Sequence, residues 1–288
     1  MKIKLTFLAA ILLFSVSAFS QTDTTKKNMP DTIKVGNFVI IKKNNGNYSD
    51  SVTKDRNYNL NINLFHHDHN VKKRSSVSTN WFIFDLGFAN VRDNTDYGST
   101  AAKNYLHANG GNDFTKSDLS LKTVKSSNVN IWIFQQKLNI TSHVLNLKYG
   151  LGLEMYNYRY ENNISYNKNP AYIFRDSVDF SKNKLALSYA TVPLMINVNT
   201  KPNRRNGFSF SVGASAGYLY NSHTKQISSE RGKEKTHSSF DLDPWRFAAI
   251  GELGLGPVRI YGSYSFNALH QDGLVQYPYA VGLRFSNW

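Results

Sequence analysis

Residues 208–220 read FSFSVGASAGYLY. Phe208, Phe210, Val212, Ala214, Ala216, Tyr218 and Tyr220 occupy every second position, and Ser209, Ser211, Gly213, Ser215 and Gly217 lie between them. Successive side chains of a strand point to opposite faces, so this stretch is a ribbon with one ring-rich face and one small, polar face. The period recurs on both sides of it. Phe82, Phe84, Leu86 and Phe88 oppose Ile83, Asp85 and Gly87; Trp132, Phe134, Leu138 and Ile140 align against Lys137. Leu145, Leu147, Tyr149, Leu151, Leu153 and Met155 oppose Asn146, Lys148 and Glu154. Residues 185–198 begin as Leu185, Leu187, Tyr189 and continue as Val192, Leu194, Ile196, a change of phase just before Pro193. Proline cannot donate to a ladder, so a β-bulge is expected there. Phe247 and Leu253 oppose Arg246 and Glu252; Val258, Ile260, Tyr264 and Phe266 oppose Arg259 and Tyr261; Tyr277, Tyr279, Val281, Leu283 and Phe285 oppose Arg284.

These segments define an all-β chain, and three features orient it. The connections alternate long and short along the chain, as in an antiparallel barrel with short turns at one end and long loops at the other. The charges within the segments (Asp85, Lys137, Lys148, Glu154, Arg246, Glu252, Arg259 and Arg284) all lie opposite the apolar face. That polar face is otherwise rich in Ser, Gly, Ala and Asn, whereas a soluble barrel would point its large apolar residues inward. The expectation is an eight-stranded antiparallel transmembrane β-barrel with short periplasmic turns and long extracellular loops near residues 91–128, 158–184 and 221–244. Phe82, Phe84, Leu147, Leu151, Phe208, Phe210, Tyr279, Leu283 and Phe285 should face lipid; Asp85, Lys148, Glu154, Arg246, Glu252, Arg259 and Arg284 should face the lumen. Pairing through Gly256-Pro257 would bring Glu252 near Arg259, and closure of the first strand on the last would bring Asp85 to Arg284.

The N-terminus fits this placement. MKIKLTFLAAILLFSVSAFS (residues 1–20) has a basic start, an apolar run and a small-x-small end at Ala18-Phe19-Ser20, the pattern of a secretory signal peptide. Residues 21–79 are polar and suit an extended periplasmic segment, with β-like runs at Val35–Ile41 and Asn59–Phe65; residues 80–288 would form the barrel. The mean hydropathy of −0.43 hides no spanning helix, but strands that conceal apolar residues at alternate positions escape such an average. The 288 residues contain no cysteine, which excludes a disulfide scaffold, a thiolate metal site and a Cys nucleophile. The chain ends LRFSNW, an alternating strand with terminal aromatics of the kind that bacterial barrel-assembly machinery recognises.

Several stretches resemble a known family. YSFNALHQDGLVQYPYAVGLRF (Tyr264–Phe285) is similar to the final hairpin of Bacteroidetes-type outer-membrane β-barrels, the PorT-like group of small barrels akin to OmpA and OmpX. WFIFDLGFAN (Trp81–Asn90) resembles that family's opening strand, and DTIKVGNFVIIKK (Asp31–Lys43) its pre-barrel segment. The sequence departs from the family's usual Pro before a Leu-Phe pair at Ala268-Leu269-His270. The resemblance implies a fold and a place in the Gram-negative cell envelope, not a reaction.

Chemistry-bearing clusters are sparse. His66-His67-Asp68-His69 holds imidazole and carboxylate ligands, but neighbours in an extended chain point apart, so the run suits a solvated linker better than a metal site. His143, His223, His237 and His270 have serines nearby but none of the spacings of a nucleophilic motif. No catalytic residue, metal or cofactor is expected. The net charge of +14 is dispersed, which points to lipid headgroups or lipopolysaccharide phosphates rather than nucleic acid. The leading function is a non-enzymatic outer-membrane barrel with a side-chain-filled lumen. It would act structurally or through its loops, with outer-membrane lipids, lipopolysaccharide, the barrel-assembly machinery and an unidentified extracellular or periplasmic protein as partners. The alternatives are a narrow porin-like channel for small solutes and an accessory to secretion or assembly.

Overall fold

The computed structural model describes residues 32–35, 38–41, 75–108, 111–202, 207–255 and 258–286. The expected signal peptide, Asn59–Phe65 and the His66–His69 run lie outside them. The chain divides into two units, Met1–His69 and Asn70–Trp288. In the first, β1 (Thr32–Val35) and β2 (Phe38–Ile41) form an antiparallel hairpin.

The second unit is built on long strands: β3 (Val77–Asp93), β5 (Ser127–Thr141), β6 (Leu145–Arg159), β9 (Phe180–Asn199), β10 (Phe208–Ser228), β12 (Trp245–Leu255), β13 (Val258–Ser265) and β14 (Gln276–Phe285). Each pairs antiparallel with its neighbour, β14 pairs with β3, and β9 pairs with β10, so the eight close into a ring with no free edge. Short connections after β5, β9 and β12 gather at one end of the ring. The connections after β3, β6, β10 and β13 gather at the other and carry additional structure. A short helix α1 (Thr100–Tyr105) leads into β4 (Leu106–His107); β7 (Ile164–Lys168) and β8 (Ala171–Arg175) form a hairpin to which β4 adds in parallel. Beyond Tyr218, β10 parts from β12 and takes β11 (Gly232–His237) as its partner. The regions expected as loops near 158–184 and 221–244 are therefore largely strand.

The ring is apolar outside and polar inside. Trp81, Phe82, Phe84, Leu86, Phe88, Leu151, Val192, Leu194, Ile196, Phe208, Phe210, Val212, Leu253, Ile260, Tyr279, Val281, Leu283 and Phe285 are all exposed, and Leu147 is half-exposed on the same face. So continuous an apolar surface is far larger than a water-soluble monomer tolerates. Two glycines permit close approach at the β3–β14 closure. A Cβ at Gly87 would lie 2.4 Å from the Val281 carbonyl oxygen, and one at Gly282 2.3 Å from that of Leu86.

Two expected phases are corrected. Trp132 does not join Phe134 and Leu138 on the outer face; it is 2% exposed and points inward. Between Trp132 and Phe134 the β5–β6 register slips, so Ile133 and Phe134 both face outward and the phase differs on either side. Gly152 faces Trp132 across the ladder, and a Cβ there would meet the indole at 2.6 Å, so the glycine makes room for the ring.

The expected bulge at Pro193 is also absent. Residues 183–197 of β9 point inward at every odd position without a break, including Leu185, Leu187, Tyr189, Thr191, Pro193, Met195 and Asn197. The β6–β9 ladder simply skips Pro193, where its missing N–H falls, and the register shift in this region is at Tyr220 of β10. What changes near Ala190 is the surroundings. Below it, Val192, Leu194 and Ile196 face out; above it, Leu185, Leu187 and Tyr189 face in and Ser188 and Lys184 face out. β6 inverts at the same level: Leu153 and Met155 face out below, Asn157 and Arg159 above, while Tyr156 and Tyr158 are buried inside. This is the pattern of strands leaving an apolar medium for water.

Candidate functional site

The interior of the ring is filled by charge. Asp85, Glu154 and Glu252 and the cations Lys137, Lys148, Arg246, Arg259 and Arg284 are all buried there. Each sits at an inward position of an alternating strand, so the period that exposes Phe and Leu outside brings these groups together inside. Arg284 grips Asp85 through two hydrogen bonds of 2.7 Å, from Nε to Oδ1 and from Nη2 to Oδ2. That fork spans the seam where β14 meets β3. Arg284 Nη1 also donates to Glu252 Oε2, and Lys148 Nζ donates to Glu252 Oε1 from across the ring. Arg259 Nη1 stands 3.7 Å from Glu252 Oε1 and donates to Ser209 Oγ at 3.0 Å, while its Nε donates to Ser286 Oγ at 2.9 Å. Higher up, Arg246 Nη1 donates to Glu154 Oε2 at 3.0 Å and lies 4.9 Å over the Tyr156 ring.

Neutral donors complete the network. Trp132 Nε1 donates to Asp85 Oδ2 at 2.7 Å and Asn130 Nδ2 to the same oxygen at 3.0 Å. Ser211 Oγ donates to Glu252 Oε1 at 2.9 Å, and Tyr261 OH to Asn128 Oδ1 at 2.6 Å. These neutral members carry no distinguishing signal in the sequence; only the Gly152 opposite Trp132 marks the indole's inward turn. The gap lined by Asn130, Trp132, Glu154, Tyr261 and Arg284 measures about 10 Å³, room for one water at most.

Above this layer the long-loop end is sealed by a second, apolar core. Tyr105, Leu106, Phe114, Leu119, Tyr156, Tyr158, Tyr160, Ile164, Ile173, Leu185, Leu187, Tyr189, Phe240, Leu242, Leu269 and Leu274 form one buried cluster. Tyr105 OH donates to the Phe240 carbonyl at 2.6 Å, and burial lifts the Tyr166 hydroxyl well above the usual phenol range. Surface ion pairs hold the loops over it. Arg175 binds Asp118 through Nε and Nη2 at 3.0 and 3.1 Å, and Arg231 binds Asp176 at 2.8 and 3.0 Å. Partial burial pulls both carboxyls up, but the guanidinium and hydroxyl hydrogen bonds outweigh it and hold both below the ordinary range.

The candidate histidines do not converge. His143 sits in the β5–β6 turn, and His223 and His237 face each other across β10–β11 with ring centroids 5.0 Å apart. His270 is buried between Tyr105 and Tyr166, neither ring nitrogen has a partner, and burial pushes it down to about 3. Among the described residues no serine hydroxyl bonds to any of the four, and no group of three metal-ligating side chains occurs.

A closed antiparallel ring, greasy outside, ion-paired inside and capped by its loops, is the architecture of a β-barrel that lives in a membrane. The comparison with family models agrees: residues 106–271, more than half of the chain, match the outer membrane protein beta-barrel domain. The chain belongs to that family, and its place is the bacterial outer membrane. No curated protein matches it.

Proposed function

We propose that this is a non-enzymatic, non-conducting outer-membrane barrel that presents its elaborated loop end outward and its short turns to the periplasm. The observation that carries the reading is the filled interior. The ion-paired layer around Glu252 and the tyrosine-rich cap lie in series, and an ion entering the ring would have to displace both. Breaking into the lower layer means separating paired charges away from water, which costs several kcal/mol for each ion left behind.

Among the described residues, the loops offer a large polar surface outside the membrane. A structural or surface-interaction role follows, with lipopolysaccharide and an extracellular protein as candidate partners. The PorT-like resemblance, the secretory signal and insertion through the terminal strand by the assembly machinery belong to the same reading. The test is planar-bilayer recording of the refolded full chain. Silence across a wide voltage range supports the plugged barrel; steady unitary openings would favour the narrow solute pore instead.

A further inference from the structure

The inversion level on β6, β9 and β10 has a chemical sequel on the outer surface. At that level Met155 of β6 pairs with Ser188 of β9, which pairs with Asn221 of β10. Four residues further from the apolar band, the registers align Arg159 with Lys184, Lys184 with Lys225 and Lys225 with Lys235. One row thus carries four cations across β6, β9, β10 and β11. Two residues beyond, Lys182 and Lys233 flank Ile227 on the same face. None of these six cations forms an ion pair among the described residues. Lys184 Nζ is held by the neutral Asn157 Oδ1 at 2.5 Å, and Arg159 Nη2 by the Ser181 carbonyl at 2.7 Å. Glu234 lies between Lys233 and Lys235 in sequence, but it pairs with Gln226, whose side chain bonds Ser165 and Asn183 on the inner side.

Like charges set directly opposite each other in a ladder destabilise it. Four in one row, at a loop end where Arg175 and Arg231 are each matched by a carboxylate, therefore call for an anion. Height above the membrane selects which one. At about 3.3 Å per residue, the row stands about 13 Å along the strands from the inversion level, and about 10 Å in height at a tilt near 40°. Below it on the same face runs the apolar wall of Leu153, Met155, Val192 and Leu194, where acyl chains pack. A ligand with acyl chains below and phosphates about 10 Å above them would touch both surfaces.

We infer that the row Arg159–Lys184–Lys225–Lys235, with Lys182 and Lys233, is a binding site for the phosphorylated sugar headgroup of an outer-leaflet glycolipid. The site rests on the reading that the long-loop end faces outward, and it gives that end a specific lipid contact.

The test compares the refolded full chain with K184Q/K225Q/K235Q in detergent. The probes are lipopolysaccharide, the same material stripped of phosphate, and the soluble polyphosphate phytate. The wild type should bind intact lipopolysaccharide with an affinity that falls steeply with salt, at least tenfold tighter than the stripped form. The triple variant should lose at least tenfold, and its unfolding temperature should hold or rise, because repulsion has been relieved. Equal binding of the stripped form, unchanged binding by the variant, or phytate binding as tightly as lipopolysaccharide would overturn the assignment. Orientation is read separately, from labelling of Lys233→Cys on intact cells with a membrane-impermeant thiol reagent. Failure of that labelling would sink the outward reading while leaving the detergent result to stand or fall alone.

Discussion

Glu252 is the point at which the interior network is most exposed to perturbation. Its Oε1 accepts from Lys148 and from Ser211, its Oε2 accepts from Arg284, and Arg259 stands 3.7 Å away. In E252Q the volume is kept, but the buried basic side chains would face two carboxylates instead of three. The new amide also points two N–H donors among groups that are themselves donors. A unit pair near 3 Å is worth about 5 kcal/mol at an effective dielectric of 20. Arg284 keeps its fork on Asp85, which softens its loss, so the cost falls mainly on Lys148. Removal of one partner from a buried pair typically costs about 3–5 kcal/mol, and that is the expected loss here. The assay is urea unfolding in phospholipid vesicles followed by tryptophan fluorescence. With a slope of about 2 kcal/mol per molar, the midpoint should fall by about 1.5–2.5 M. Adding Lys148→Met to E252Q should recover part of the loss, because the ammonium that faced the lost carboxylate is then gone. A midpoint shift under about 0.5 M for E252Q, with unchanged slope, would refute the claim that this carboxylate organises the interior.

Three further outcomes follow from the same geometry. His270 is buried with both ring nitrogens unpaired, and its folded-state value near 3 lies below the ordinary 6.5. Between those values the unfolded chain binds the extra proton, so the loop-end core should weaken as pH falls from about 6.5 towards 3. His270→Phe should flatten that dependence and gain about 1–3 kcal/mol at neutral pH; an identical pH profile in hydrogen exchange of residues 266–275 would count against it. Gly282→Ala places a Cβ 2.3 Å from the Leu86 carbonyl oxygen, on backbone that cannot swing aside, and should cost about 1–3 kcal/mol at the ring's closure. Full retention of the urea midpoint would contradict that contact. Leu194→Arg, on the outward face of β9, should lose about 2–4 kcal/mol in vesicles if that position lies near the bilayer midplane, and the loss should shrink in short-chain detergent; equal stability in both media would not fit a lipid-facing residue.

How much of this was legible in the sequence depended on which solvent each strand met. β10 and β14 keep one phase through the membrane, so Phe208, Phe210, Leu283 and Phe285 declare the outer face directly. β6 and β9 cross from lipid into water with a tyrosine-filled interior above. There the rule that apolar residues face outward reverses, and Leu185, Leu187 and Tyr189 mimic a bulge at Pro193 that the backbone does not make. Trp132 misleads for a different reason: the indole counts as apolar, yet its one N–H is drawn to Asp85, and the phase slip at Ile133 that allows it has no sequence marker. The ring's partners across space are also silent in sequence. Arg284 with Asp85 follows from closing the first strand on the last, but Lys148 with Glu252 crosses the ring and needs its diameter. The cationic row was invisible because Arg159, Lys184, Lys225 and Lys235 are scattered along the chain and meet only through register.

The most direct measurement of the whole arrangement is a spin-label scan along β14 and β9 of the cysteine-free chain, one substitution at a time, in outer-membrane lipid vesicles. Labels at 281, 283 and 285 and at 192, 194 and 196 should collide with dissolved oxygen far more than with a water-soluble nickel chelate. Labels at 184 and 182 should show the opposite preference, with the crossover falling near Ser188. High chelate access at 283 and 194, or no crossover along β9, would contradict an apolar wall turned to acyl chains.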